Sequence, residues 1–264
     1  MAFAGLARFA GFELGLWAGL YGAYLATRNF AIGSADQAFA NASMLIDVER
    51  GVGAFHEVAI QRALATDLHL ERFFDLYYMV GFGPVIGAVL VWLALRHRGE
   101  YRELRTWLLL SIAIASIGYI LLPTAPPRLV EGIGIVDTVG LSGHDTGSVG
   151  GVRFNPYAAM PSMHVGWSLL VGLIGFRVAR RRAIKALFLM HPILMAVTVT
   201  ATGNHYFLDS VVGALVALSA IAIVASQLPS RIRARLPRPT RATRLTPQAP
   251  VFTQPALGAP CSSH

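Results

Sequence analysis

Cysteine and lysine are all but missing from this 264-residue chain, which has one of each, Cys261 and Lys185. A lone cysteine excludes a disulfide framework and any thiolate metal centre, and in the C-terminal stretch it reads as inert. Charge is scarce too. Asp, Glu, Lys and Arg make up 14% of the residues and hydrophobic types 55%, whereas soluble globular chains carry about a quarter charged residues. This composition excludes a disordered chain, and a water-soluble domain made from it would expose a large apolar surface. Acids are outnumbered, 14 against 22 bases, for a formal net charge of +8. No internal repeat is visible, which sets aside the repeated architecture common among transporters.

What is present is a series of apolar runs near the roughly 20 residues that cross about 30 Å of hydrocarbon. They cover residues 9–27, 73–95, 107–122, 163–176, 186–201 and 207–226. The expected fold is an all-α polytopic membrane bundle of six transmembrane helices, one domain over residues 1–228. The third, fourth and fifth runs are short and should extend into their flanks. The fourth is weakly apolar, but its Gly and Ser would let neighbouring helices approach closely. Glu13 interrupts the first run and no small-residue cleavage site follows, so that run reads as a retained helix and not a signal peptide.

The arginines set the topology. With the N-terminus inside, sixteen cations fall on inside segments and six on outside ones, so both termini are expected in the cytoplasm. The basic balance is thereby assigned to membrane lipids, with no nucleic-acid partner. Arginine in place of lysine, with abundant Ala and Gly, suggests a GC-rich bacterial genome and hence a bacterial cell membrane. Residues 229–264, rich in Pro and Arg, read as a disordered basic cytoplasmic tail. Residues 32–72 carry apolar side chains at helical spacing (Phe39, Met44, Leu45, Val48, Val52, Phe55, Val58, Ala59, Ala63). They predict one or two amphipathic helices on the outer interface, as a lid or packing element.

On this topology, polar residues gather at the outer ends of the last four runs. The third run exits into Pro123-Thr124-Ala125-Pro126-Pro127-Arg128. The fourth opens with Met160-Pro161-Ser162-Met163-His164, and the fifth and sixth meet at Thr202-Gly203-Asn204-His205-Tyr206-Phe207-Leu208-Asp209. If a helix starts near Asn204, His205 and Asp209 share one face. A carboxylate on one ring nitrogen fixes the tautomer and makes the other nitrogen a better nucleophile. Ser162 and the N–H of Met163, at a helix start, can hold an anion, and Arg128 offers a planar fork of donors to phosphate oxygens. This is a phosphate pocket with one nucleophile and one acid/base. Asn204, Tyr157 and Tyr206 could shape it.

These segments resemble the type 2 phosphatidic acid phosphatase (PAP2) superfamily, most closely its branch of fungal inositolphosphotransferases and, more distantly, sphingomyelin synthases. The resemblance rests on Pro161-Ser162-Met163-His164 and on His205-Tyr206 with Asp209, with weaker support from Pro126-Pro127-Arg128. It covers about residues 105–226, and the six-run layout extends it further. It implies that His205 attacks phosphorus and carries the phosphoryl group as a phosphohistidine, oriented by Asp209. It implies that His164 protonates the leaving oxygen and then activates the acceptor, with no metal or other cofactor. Arg128, Ser162, Met163 and Arg153 are the candidates for holding the phosphate.

The sequence departs from the phosphatase pattern at two cations. Leu121 stands where that pattern has a lysine, Val199 where it has an arginine, and Arg128 is followed by Leu129 instead of proline. A monoester carries nearly two negative charges near neutral pH and a diester one. A cation-poor site therefore favours head-group transfer from a phospholipid, for example of inositol phosphate. The alternative is a lipid phosphate or pyrophosphate phosphatase with water as acceptor. A metal triad of two histidines and a carboxylate is disfavoured by the neighbouring Arg128, and His56-Glu57 lacks the second histidine of a zinc motif. His191, before Pro192, reads as a packing histidine. Glu13 and Asp75 could pair across helices, and Asn41-Ala42-Ser43 matches a glycosylation acceptor.

Overall fold

The computed structural model describes residues 11, 13, 15–19, 22, 35–141, 148–149, 152–153 and 156–227. All lie in the first of two compact units, Met1–Gln227. Most of the expected first span and the whole expected tail, 229–264, lie outside the described residues. The architecture is all-helical apart from one two-residue antiparallel pairing. In order come α1 (Ala35–Gly51), α2 (Glu57–Leu64), α3 (Leu68–Gly81), α4 (Gly83–Arg96) and α5 (Arg98–Leu121). A 3-10 turn (Pro127–Leu129) and the short α6 (Thr138–Leu141) follow, then β1 (Ser148–Val149) and β2 (Val152–Arg153). The chain ends its described course with α7 (Met163–Val178), α8 (Arg182–Ala201) and α9 (Phe207–Ser226).

Three helices, α5, α8 and α9, are long and apolar enough to cross a membrane, and a fourth span results if α3 and α4 are taken together. The run expected as one helix over 73–95 is two, bent by 41° at Phe82. Gly83 and Pro84 follow the bend, where Pro restarts a helix without wasting a donor. As expected, α5 extends well beyond its apolar run, back to Arg98. α7 has 16 residues, about 24 Å at 1.5 Å per residue, short of a full crossing.

The core lies where α4, α5, α7 and α9 meet, with Leu93, Leu104, Leu108, Leu170, Val171, Ile174 and Ala217 all buried. Close approach depends on glycine. A Cβ on Gly213 of α9 would sit 2.0 Å from the Ser162 carbonyl oxygen, and one on Gly166 of α7 would sit 2.7 Å from the Gly213 carbonyl. The starts of α7 and α9 are therefore in backbone contact. Glu13 is buried and takes the Tyr101 hydroxyl (2.8 Å) and the Arg105 guanidinium. Asp75, also buried, accepts from Thr138 Oγ1 at 2.7 Å. His191 lies with Nδ1 2.6 Å from the Tyr77 hydroxyl, a packing contact between α8 and α3.

Residues 35–64 do form two helices. Phe39, Met44, Val48 and Val52 are exposed, and the buried stripe is Ala38, Ala42, Leu45, Ile46 and Glu49. Small residues bring α1 against the loop after α5. There Ala125 N–H donates to the Ala38 carbonyl (3.1 Å) and Asn41 Nδ2 to the Pro123 carbonyl (2.7 Å). Asn41 is half-buried and committed to that bond, so the match of Asn41-Ala42-Ser43 to a glycosylation triplet is one of sequence only.

Candidate active site

Four helix ends supply the polar groups: the C-termini of α5 and α8 and the N-termini of α7 and α9. Two loops are stitched together first. Thr124 N–H donates to the Tyr157 carbonyl (2.8 Å) and Ala159 N–H to the Thr124 carbonyl (3.3 Å). This fixes the Ala159 carbonyl beside His205. Met160–Pro161 is a cis peptide.

His205 lies just before α9, whose N-cap is Tyr206. The expectation that His205 and Asp209 share a helical face is therefore corrected. Asp209 is the third helical residue and folds back over the cap. Its Oδ2 accepts Tyr206 N–H at 2.9 Å and lies 3.3 Å from His205 Nδ1. The nearer partner of Nδ1 is the Ala159 carbonyl, at 2.8 Å. Both partners are acceptors, so Nδ1 carries the hydrogen and Nε2 presents its lone pair. Nε2 faces His164 Nδ1 at 3.3 Å, and His164 must then donate. His205 and Asp209 are buried, while His164 is half-buried.

His164 is held by aromatics. Tyr78 stacks on it with centroids 4.9 Å apart, and Phe82 lies at 4.3 Å and stacks in turn on Trp167. Trp167 Nε1 donates to Ser111 Oγ at 3.0 Å. The bend between α3 and α4 thus delivers Phe82 onto His164.

Arg128 reaches the same place and interacts electrostatically with His164. Its backbone N–H donates to the Gly203 carbonyl at 2.9 Å, its Nη1 to Asn204 Oδ1 at 2.5 Å, and its Nε lies 3.4 Å from Asp137 Oδ2. Gly203 has φ +69, and a Cβ there would meet Ile135, the Val136 carbonyl and Arg128 Cβ. Asn204 is itself oriented by Thr202, whose Oγ1 accepts from Nδ2 at 2.8 Å.

The other predicted phosphate ligands fall differently. Ser162 is fully buried, its hydroxyl has no partner among the described residues, and its N–H donates to the Asp209 carbonyl at 2.9 Å. That N–H ties α7 to α9. The Met163 side chain packs in the core with Ile112, Ala115 and Val216. Arg153 lies in β2, paired through Ser148, and its side chain is outside the described residues. Where the phosphatase pattern has cations, Leu121 is exposed and Val199 is buried with Val165 and Met195.

Two glutamates join this centre, Glu49, which no sequence motif marks, and Glu57, notable in the sequence only for standing beside His56. Glu57 Oε1 accepts Phe207 N–H at 2.8 Å, and Glu49 Oε1 accepts Leu208 N–H at 2.7 Å. Burial, then the hydrogen bond shared with Glu57, push the Glu49 carboxyl up to about 8. Burial likewise raises the Tyr206 hydroxyl far above its ordinary range, so it stays neutral. Among the described residues no group of three or more His, Cys, Asp or Glu is arranged to hold a metal ion.

The fold and this cluster define an α-helical membrane protein with a histidine pair at one end of the bundle. The chain matches the PAP2 superfamily over residues 43–223 and belongs to it. Among solved structures it is similar to the crystal structure of Aquifex aeolicus LpxE. Identity is 18%, the match covers 64% of this chain and 92% of that one, and the TM-score is 0.50. At that identity the likeness speaks for the fold. No curated protein matches the chain. Membership of the superfamily points to a phosphatase-type enzyme acting on lipid phosphates.

Proposed function

We propose that the protein is a lipid phosphotransferase working through a phosphohistidine at His205. The observation that carries this reading is the state of the His205 ring. Nδ1 is pinned by the Ala159 carbonyl and Asp209, and Nε2 is aimed at His164. In the first half-reaction Nε2 attacks phosphorus. The bond from phosphorus to the leaving alkoxide breaks, and the His164 Nδ1 proton passes to that oxygen. In the second, His164 takes a proton from an acceptor hydroxyl. The new oxygen bonds phosphorus as the bond to Nε2 breaks.

In-line transfer needs phosphorus near Nε2 and the leaving oxygen near Nδ1, about 6–7 Å between the rings in all. The 3.3 Å contact is shorter, so substrate parts the two histidines, and the aromatic stack on His164 is what moves. Arg128 is the cation offered to the phosphate, already half satisfied by Asn204 and Asp137. One partly neutralised arginine suits a singly charged diester, so the donor is a phospholipid and the transferred unit a phospho-head group such as inositol phosphate. We place the site at the outer face of a bacterial cell membrane, in a six-span domain over residues 1–228 with both termini cytoplasmic. The superfamily's phosphatase character supports a second reading, hydrolysis of a lipid monoester.

The test uses purified protein without added metal. Phosphatidylinositol and phosphatidic acid are supplied separately, with and without an alcohol, and products are followed by mass spectrometry. An acceptor-dependent phosphodiester that disappears in His205→Ala is the expected result. Free phosphate from phosphatidic acid, indifferent to the alcohol, would replace transfer by hydrolysis. Full activity in His205→Ala would remove the mechanism altogether.

A further inference from the structure

The first N–H groups of a helix lack partners within it and gather partial positive charge. In α9 three such groups are taken by carboxylates from three different elements. Tyr206 N–H goes to Asp209, Phe207 N–H to Glu57 and Leu208 N–H to Glu49. Glu49 and Glu57 are 0% and 1% exposed, so these are desolvated, charge-assisted bonds. The groups facing Glu49 are Glu57 from α2, Asp209 from α9 and Tyr206 at its cap. Its neighbour Arg50 sits over the Phe55 ring instead. Among the described residues no arginine, lysine or histidine forms an ion pair with either glutamate.

Three buried carboxylates beside one another cannot all stay ionised. The outer oxygens, Oε2 of Glu49 and Oε2 of Glu57, are buried without a donor from another residue. The two carboxyls are close enough to bond each other. A single retained proton satisfies both oxygens and leaves one negative charge on the pair, set against the positive end of α9.

We propose that Glu49 and Glu57 act as a proton-sharing carboxyl pair that positions His205 and Asp209 by holding the first turn of α9. The inference rests on the phosphotransfer reading above. It gives residues 35–64 a part in turnover beyond covering the site. The shared proton is kept at neutral pH and lost as pH climbs past about 8. The second charge then repels Asp209 and loosens the turn on which the nucleophile stands.

Three preparations test this: the wild type, Glu49→Gln and Glu49→Leu. Glutamine keeps an acceptor for Leu208 N–H and offers Glu57 a permanent N–H, so it mimics the protonated pair. The ratio of kcat at about pH 9 to kcat at about pH 7 should be several-fold higher in Glu49→Gln than in the wild type. Leucine leaves Leu208 N–H and the Oε2 of Glu57 unpartnered, and kcat should fall about tenfold with KM little changed, a loss that glutamine recovers. An identical pH ratio in Glu49→Gln and the wild type, or wild-type kcat in Glu49→Leu, overturns the proposal.

Melting in detergent separates this from failure of the functional reading. A buried acid whose folded pKa is raised destabilises the fold progressively as pH rises from its ordinary value, 4.5, to about 8. Wild-type Tm should therefore fall between about pH 6 and about pH 8 more steeply than that of Glu49→Gln. Equal slopes overturn the shared proton even if the wild type turns over no lipid. Unequal slopes with no turnover of phosphatidylinositol or phosphatidic acid keep the pair and discard the phosphotransfer reading.

Discussion

At the scale of single residues, the division of labour around His205 makes a graded forecast. Asp209 shares the Nδ1–H with the Ala159 carbonyl, which is nearer. A neutral amide at 209 leaves the ring oriented and removes the charge that favours an imidazolium. Asp209→Asn should cost kcat roughly 10–100-fold, and His205→Ala should cost at least about 1,000-fold, judged by single-turnover phosphoryl transfer. Equal losses would mean that Asp209 does more than orient. Asn204 gives a different pattern, because it touches Arg128 and not the histidines. Asn204→Ala should raise KM several-fold with a smaller change in kcat, and Arg128→Lys should not retain wild-type affinity, since an ammonium cannot reproduce the planar fork.

The histidines and Asp209 were legible as residue types at helix starts. Their motif spacing brings them to one end of the bundle once the runs are counted. The Ala159 carbonyl was not, because main-chain acceptors leave no mark in a sequence. Glu49 and Glu57 lie 159 and 150 positions from the amides they cap, beyond any local pattern. A clue was nonetheless present. Glu49 continues the spacing of Ala38, Ala42 and Leu45, the small-residue stripe that α1 buries, and an acid on a buried stripe calls for a partner.

Among elements, the tightest constraint is the crossing of α7 and α9. Gly213 leaves no room for a methyl group against the Ser162 carbonyl, and Gly166 little more against Gly213. Gly213→Ala should lower Tm by several degrees and reduce activity, because the displaced Ser162 N–H also holds the Asp209 carbonyl. Gly166→Ala should do the same more weakly, and thermal unfolding in detergent ranks the two. The bend at Phe82 could not be anticipated from hydropathy, since residues 73–95 are apolar throughout. Gly81, Gly83 and Pro84 were the available signs of a break. What the break does, placing an aromatic on His164, depends on tertiary packing.

For the whole molecule, the six-span count rests on the apolar runs and its orientation on the charge pattern, and the chain contains its own probe. Cys261 is its sole cysteine. With the C-terminus cytoplasmic, a membrane-impermeant maleimide should leave intact cells unlabelled and label Cys261 after permeabilisation. Labelling of intact cells would invert the topology and move the histidine pair to the inner face. The three or four helices of sufficient length agree with a membrane protein. The rest of the count depends on α7, which is short, and on residues 9–27, where Glu13 anchors to α5 through Tyr101 and Arg105.

The carboxylate clamp on α9 also bears on how such a chain is made. Glu49 and Glu57 emerge from the ribosome more than a hundred residues ahead of the amides they serve. Until α9 arrives, the two acids of α1 and α2 lack the amides they bind, and His164 lacks its neighbour His205. A shortened product ending before His205 holds one of the two histidines only, so the pair forms as the start of α9 is made. The histidine pair and its carboxylate clamp are thus a late product of synthesis, completed only when the start of α9 joins elements made long before it.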